Sequence, residues 1–247
     1  MKRKYLITLS LFTLVFLASF TNLIDKKHKP VVVLELFTSQ GCSSCPSADV
    51  LLETVGKEFT GDNVFTLSYH VDYWNYIGWT DPFSQKEYTQ KQRSYAQKFR
   101  DNQIYTPAVI VNGQEHFVGS NRAKMYAKIK EYKQKSSQYD ISLSAIENAS
   151  KTIKFNYKID GNLSDTKARV VLAIKERTTK VKRGENARRT LKNHNIVVNE
   201  RYLTNVATKG TTTIDIPKIV SKDDTLSVFL ILENKQKDIL SAQKLEF

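Results

Sequence analysis

Apolar positions change their period near the middle of the chain, and that change predicts two kinds of architecture in series. Residues 31–37 place Val31, Val33, Glu35 and Phe37 on one face of an extended segment and Val32, Leu34 and Leu36 on the other. All but one are apolar, as in a strand covered on both faces. Leu51, Val55 and Phe59 then follow one helical stripe, with Pro46 in the first turn and Gly61 past the end. Val64, Phe65, Leu67, Tyr69 and Val71 predict a second strand. Phe83 to Arg100, with Tyr88, Tyr95 and Phe99 on a sparse stripe, predicts a surface helix capped by Asp81 with Pro82 at its first position. Ala108–Val111 and Glu115–Val118 flank Asn112-Gly113 as a two-residue hairpin turn, and Gly119-Ser120 opens a last helix through about Gln134. The order is β-α-β-α-β-β-α.

From Gln138 the helical period largely stops. Short β-like runs take over at Ile141/Leu143, Ile153–Ile159, Val170–Ile174, Ile196/Val198, Leu203–Ala207, Thr211–Ile216, Leu226–Leu232 and Leu240–Phe247. About seven strands over such a length predict an antiparallel β-sandwich. The predicted fold is therefore an α/β domain over residues 30–135, a Lys/Gln/Ser-rich linker near Ser136-Ser137, and a β-sandwich domain over 138–247.

The first 24 residues stand apart. Lys2, Arg3 and Lys4 precede an uncharged run from Tyr5 to Leu23, which predicts export through a signal peptide or an uncleaved N-terminal anchor. The expected location is periplasmic or extracellular, with membrane tethering if the anchor is kept. The formal charge of the 247-residue chain is +13; six cations against Asp25 in the first thirty residues account for +5 of it, leaving +8. Most of that charge is scattered among Asp and Glu, which argues against nucleic acid as a partner. The densest stretch, Lys180 to Lys192, predicts an extended loop that either contacts an anionic surface such as membrane headgroups or is simply solvated.

Both cysteines lie in Cys42-Ser43-Ser44-Cys45, where the first strand gives way to the first helix. An exported protein with only two cysteines does not rest on a disulfide framework, so the pair points to redox or metal chemistry. Cys42, nearer the loop and expected to be the more exposed, would be the attacking thiolate beside the helix N-terminus, and Cys45 the buried resolving thiol. Glu35 interrupts an apolar strand seven residues earlier and is either a buried acid that takes the resolving proton or a strand-end carboxylate reaching solvent. His70 and Asp72 stand at a strand's C-terminal end as an imidazole–carboxylate pair for proton transfer, or as a structural cap on the loop that follows. Tyr73, Trp74, Tyr76 and Trp79 form either a peptide-docking surface or a roof over the core.

The β-α-β-α-β-β-α order with Cys-x-x-Cys opening the first helix and Thr106-Pro107 before the third strand resembles the thioredoxin fold. That resemblance implies a cis Pro107 facing the thiols, with the Thr106 backbone guiding a bound substrate. It also implies a buried acid one residue closer to the cysteines than Glu35. More closely, Glu35-Leu36-Phe37-Thr38-Ser39-Gln40-Gly41-Cys42-Ser43-Ser44-Cys45-Pro46, His70-Val71-Asp72-Tyr73-Trp74, Gly78-Trp79, Asp81-Pro82-Phe83, Tyr105-Thr106-Pro107 and Gly184-Glu185-Asn186-Ala187-Arg188-Arg189-Thr190-Leu191 look like the exported domain-of-unknown-function family 1223. The family implies fold and export and names no substrate.

The sequence thus predicts a thiol–disulfide oxidoreductase with no cofactor, acting on protein thiols or disulfides through Cys42, Cys45, Glu35 and Pro107, with Thr106, Trp74, Trp79 and His70 lining the substrate side. Two other classes stand beside it. One is a cell-envelope binding or assembly protein whose disulfide is structural; the other is metal handling, in which His70 or His116 completes a set begun by the cysteines.

Overall fold

The first predicted strand forms β1 (Val32–Thr38) and is buried along its whole length. In the computed structural model, which describes residues 27–149 and 151–247, it is followed by α1 (Cys45–Glu58), β2 (Val64–His70), a 3-10 turn at Asn75–Ile77, α2 (Lys86–Phe99), β3 (Ala108–Val111), β4 (Glu115–Val118) and α3 (Arg122–Tyr132). The predicted leader, residues 1–24, lies outside the described residues. β1 runs parallel to β2 and antiparallel to β3, which pairs antiparallel with β4. The remaining strands are β5 (Asp140–Asn148), β6 (Thr152–Asp160), β7 (Thr166–Lys180), β8 (Thr190–Tyr202), β9 (Lys209–Asp215), β10 (Leu226–Asn234) and β11 (Ile239–Glu246).

The strands of the predicted sandwich are not confined to sheets of their own. One eight-stranded, mostly antiparallel sheet in the order β11-β10-β7-β8-β2-β1-β3-β4 runs through both halves, and β5-β6-β9 form a smaller sheet. The halves join where β8 lies parallel to β2, with Ser68 opposite Ile196 and Ser68 Oγ donating to the His194 carbonyl at 2.8 Å. Without β8, β2 would present an unpaired edge. The small sheet covers one face of β7, β8 and β10, burying Ile153, Phe155, Val170, Leu172, Val228 and Leu230 between the layers. α1 and α3 cover β1 and β3 through Leu34, Leu36, Leu52, Val55, Met125 and Ile129. α2 packs on the opposite face, and its core continues across the junction from Phe37 and Tyr69 to Val171 and Phe229.

Four local expectations change. Leu203–Ala207 is not a strand; Leu203 and Val206 pack onto the sandwich core from a connecting loop. The ends of Lys180–Lys192 are paired strand, Thr178 with Lys192 and Lys180 with Thr190, so only residues 181–189 form the loop. α2 starts after Gln85, because Asp81 is drawn inward instead of capping it, and Tyr88, Gln92 and Tyr95 are buried. The β3–β4 hairpin closes over three residues, with Val111 opposite Glu115.

Glu35 sits on the α2 face of β1, where the fold requires a counter-charge. Arg169 of β7, fully buried, donates from Nη2 to Glu35 Oε1 at 2.9 Å, from Nη1 to Glu200 Oε2 at 2.8 Å and from Nε to Glu233 Oε2 at 3.0 Å. Tyr95 donates to Glu35 at 2.6 Å, and Lys91 pairs with Glu200 at 2.8 Å. Burial pushes the Glu35 carboxyl up, but Arg169, then Lys91 and the Tyr95 hydroxyl, hold it below the ordinary value. Glu200 is likewise held at about 2 against burial, by Lys91 and Arg169.

Removing the guanidinium leaves buried carboxylates uncompensated, which costs about 3–5 kcal/mol. Arg169→Met is therefore expected to lower the urea-unfolding free energy by that amount at pH 7. Both carboxyls have folded pKa values below their unfolded ones, so their contribution is present above about pH 4.5 and is lost as pH falls toward 2. The deficit of Arg169→Met measured at pH 7 is expected to shrink across that interval.

Candidate functional site at the Cys42–Cys45 turn

β1 delivers the chain at Thr38 to a tight turn, closed by Cys42 N–H on the Ser39 carbonyl at 3.2 Å and Cys45 N–H on the Cys42 carbonyl at 3.3 Å. Gly41 is needed there, since a Cβ would come within 3.3 Å of the Trp74 Cβ and carbonyl oxygen. Pro46 occupies the first turn of α1, where its missing N–H costs nothing. Both cysteines are free thiols. Cys42 was expected to be the more exposed of the two; both are buried, Cys42 at 1% and Cys45 at 0% exposure.

Cys42 Sγ lies 3.2 Å from Ser44 Oγ and 3.9 Å from the Thr106 carbonyl oxygen. The hydrogen bond from Cys45, helped by those of Ser44 and Thr106 and opposed by burial, pushes the Cys42 thiol down to about 6. Burial, then the neighbouring Cys42 and the Asp49 carboxylate, push Cys45 far up. The two thiols are thus unequal, one a ready thiolate and the other a held proton.

The Thr106–Pro107 peptide is cis. Trp74 Nε1 donates to Thr106 Oγ1 at 2.7 Å, which fixes the aromatic loop against the same residue. Trp79 Nε1 reaches Gln40 Oε1 at 3.3 Å. Gln40 knits the turn together: its N–H donates to Asp81 Oδ2 at 2.8 Å and its side-chain amide to Asn193 Oδ1 at 3.1 Å.

Glu35 is not brought to the thiols. Strand alternation sends Val33, Glu35 and Phe37 toward α2, and Leu34, Leu36 and Thr38 toward α1. The acid on the cysteine side is Asp49, one helical turn after Cys45 and 6% exposed, which accepts from Thr38 Oγ1 at 3.2 Å. Burial raises it to about 7, against the pull of His70 and Thr38. His70 does not pair with Asp72, whose carboxylate is taken by Thr89. Its Nδ1 lies 2.7 Å from Asp81 Oδ2 with both side chains fully buried. Burial works against the charged ring, but Asp81 and then Asp49 raise it overall. Asp49 Oδ1 and His70 Nε2 are buried with no hydrogen-bond partner among the described residues.

The β7–β8 hairpin supplies the roof that sequence reasoning missed. Glu185 Oε2 accepts from Ser43 N–H at 2.9 Å, and Asn186 Nδ2 donates to the carbonyls of Gln40 and Cys42, both at 2.9 Å. Asn186 is fully buried, and Arg189 Nη1 holds its Oδ1 at 2.8 Å. The Gly184–Leu191 match was a signal for this segment, and the Cys45–Asp49 spacing of four was a signal for the acid. Neither pattern says that the two converge.

A family model described as a protein of unknown function, DUF1223, matches residues 33–232, from β1 into β10. The chain belongs to this family. It is similar to the crystal structure of a protein from Agrobacterium tumefaciens, 30% identical over 88% of this chain and 95% of that one, with a TM-score of 0.63. A DUF3823-family protein from Bacteroides ovatus is 13% identical over 45% of this chain and 54% of that one, with a TM-score of 0.31, too slight a likeness to bear on the site. No curated protein matches the chain.

In this DUF1223 member the metal alternative lacks its ligands among the described residues, where no group of three or more His, Cys, Asp or Glu side chains could hold an ion. His70 is committed to Asp81, and His116 contacts Tyr105 at 3.1 Å.

Asp49 carries the site's pH dependence. Its folded pKa is raised, so protonation favours the folded state; this contribution is full below about pH 4 and is lost as pH rises through about 7. Asp49→Asn should therefore be no more stable than the parent at pH 4 and more stable at pH 8, read as urea midpoints. A gap that does not change with pH would show that Asp49 is not the titrating group.

Proposed function

We propose that this protein is an exported thiol–disulfide oxidoreductase built on a thioredoxin-like arrangement. The observation that carries the reading is a pair of unequal thiols of which Cys42 lies 3.9 Å from the Thr106 carbonyl oxygen, one residue before a cis proline. The β-α-β-α-β-β-α order and the Cys-x-x-Cys at the start of α1 support it, as does the uncharged leader-like run for export.

In the forward direction the Cys42 thiolate attacks one sulfur of a partner disulfide. A mixed disulfide forms and the first partner thiolate leaves. Asp49 takes the Cys45 proton, and the Cys45 thiolate attacks Cys42 Sγ. The partner's second thiolate is released, leaving the partner reduced by two electrons and the Cys42–Cys45 pair oxidised. Run backwards, the same steps oxidise a partner dithiol. A base near 7 suits this role, because it can accept a proton and lose it again at neutral pH. Thr106 would guide the partner backbone, with Trp74 and Trp79 forming the adjoining wall.

A second reading, an envelope binding or assembly protein, draws on the burial of Cys42 and on Tyr76, 82% exposed at the tip of the aromatic loop. The exposed cations Lys182, Arg183, Arg188 and Arg189 would then face an anionic surface.

Two measurements test the redox reading. Alkylation of Cys42 should show a pH midpoint near 6, well below the ordinary thiol range of about 8–9. Cys45→Ala expressed in the native host should leave Cys42 covalently joined to its partner through a mixed disulfide. Recovery of no such adduct, together with an ordinary thiol midpoint, would favour the binding module.

A further inference from the structure

Three backbone groups of the turn that holds Cys42 are bound by the β7–β8 tip. Ser43 N–H is bound by Glu185, and the Gln40 and Cys42 carbonyls are bound by the Asn186 amide. The tip also rests on the aromatic loop, where a Cβ on Gly184 would lie 3.3 Å from Trp79 Cβ and 3.4 Å from the Ile77 carbonyl oxygen. The thiolate meant to meet a partner disulfide is left 1% exposed. An in-line approach of two sulfurs along the new bond cannot be made to a thiol so covered.

The tip is internally closed. Val181 N–H donates to the Arg189 carbonyl and Arg188 N–H to the Val181 carbonyl, each at 2.9 Å, while Arg189 grips Asn186. Below it the β7–β8 ladder is continuous from Lys180/Thr190 down to Glu176/His194. The tip is thus held over the cysteine turn by three hydrogen bonds, with Gly184 resting on the aromatic loop beside it. Local opening there requires no loss of sheet pairing and belongs to the low-cost class of native-state fluctuations.

We infer that residues 181–189 form a displaceable cap on Cys42, standing in for an incoming polypeptide and selecting which disulfides reach the thiolate. An extended peptide backbone carries both a donor and an acceptor. It can therefore replace the Glu185 carboxylate on Ser43 N–H with its carbonyl, and the Asn186 amide on Gln40 or Cys42 with its N–H. A small disulfide such as that of glutathione also has amides, but its few contacts offset less of the cost of displacing the cap. The expected substrate is a polypeptide disulfide, with the cap discriminating against low-molecular-weight ones. This deepens the oxidoreductase reading and rests on it for the identity of the substrate. The cap itself does not depend on that reading.

The test uses the full chain in a Cys45→Ser background, so that only Cys42 reacts, and iodoacetamide as the probe. Asn186→Ala is expected to raise the alkylation rate at every pH by about tenfold, the scale of losing a buried hydrogen-bonded anchor. Glu185→Ala, at an exposed side chain, is expected to raise it by a smaller factor. The pH midpoint should stay at the parent's value in both, because neither side chain hydrogen-bonds a sulfur. Variants that keep the parent's far-ultraviolet dichroism and alkylate at the parent's rate overturn the cap; if Asn186→Ala fails to fold, Glu185→Ala decides. Iodoacetamide needs no exchange chemistry, so a failure of the oxidoreductase reading, seen as the absence of any mixed disulfide, stays separate from a failure of the cap.

Discussion

A guanidinium with no access to water is the constraint on which the rest of the molecule depends. Arg169 is buried and meets the carboxylates of Glu35, Glu200 and Glu233 and the hydroxyl of Tyr69, at 2.8 to 3.0 Å. These partners come from β1, β8, β10 and β2. A buried charge tolerates few arrangements, since each misplaced partner leaves an ion without compensation. The network therefore does more than join two halves: it sets how β7 and β8 lie against β2. Once that is set, the two strands, 15 and 13 residues long, carry their hairpin tip as far as the cysteine turn. Geometry fixed at Arg169 is read out at Asn186.

The period of two along β1 and β2 then divides the charged chemistry. Glu35 and Tyr69 fall on the α2 face, where cations outweigh burial and hold the carboxylates ionised. Thr38 and His70 fall on the α1 face with Asp49 and Asp81. There the opposite balance holds for Asp49, whose burial outweighs the pull of its neighbours and raises it to about 7. One face is locked in a single protonation state over the physiological range. The other keeps a group able to change state one helical turn from Cys45. Strand alternation separates a structural network from a proton-active one within a few residues of chain.

Much of this was legible in the sequence, and the limits of legibility are physical. The order of the first seven elements, the strand-to-helix turn at Cys42 and the aromatic loop all follow from local period and turn residues. Glu35 stood out because it interrupts an apolar strand, as either a buried acid or a strand-end carboxylate reaching solvent, and the structure buries it. Its partner could not be named, because Arg169 lies 134 positions away and nothing local to either residue points to the other. The same distance hid the continuity of the sheet: alternation reports that a strand has a buried face, and is silent on which edge it joins. Lys180–Lys192 read by composition as an extended basic loop, either contacting an anionic surface or solvated. Its two decisive residues, Glu185 and Asn186, are not basic and act by hydrogen bonding to backbone, which charge counting does not register. Asp49 lay in plain view four residues from Cys45, but an acidic residue near a helix start is ordinarily explained by the helix dipole.

The extent of the family match bears on which part of the chain makes up the functional unit. It runs from residue 33 to 232, starting in β1 and ending in β10, and so includes the cysteine turn, the cis Thr106–Pro107 peptide, Arg169 and the cap. Without the C-terminal strands, Glu35 would keep Lys91 and the Tyr95 hydroxyl but lose Arg169, and β2 would end as an open edge. Both are costly in isolation. The C-terminal strands thus supply the counter-charge, complete the sheet beside β2 and bond the backbone of the cysteine turn, and the span of the match includes all of these parts.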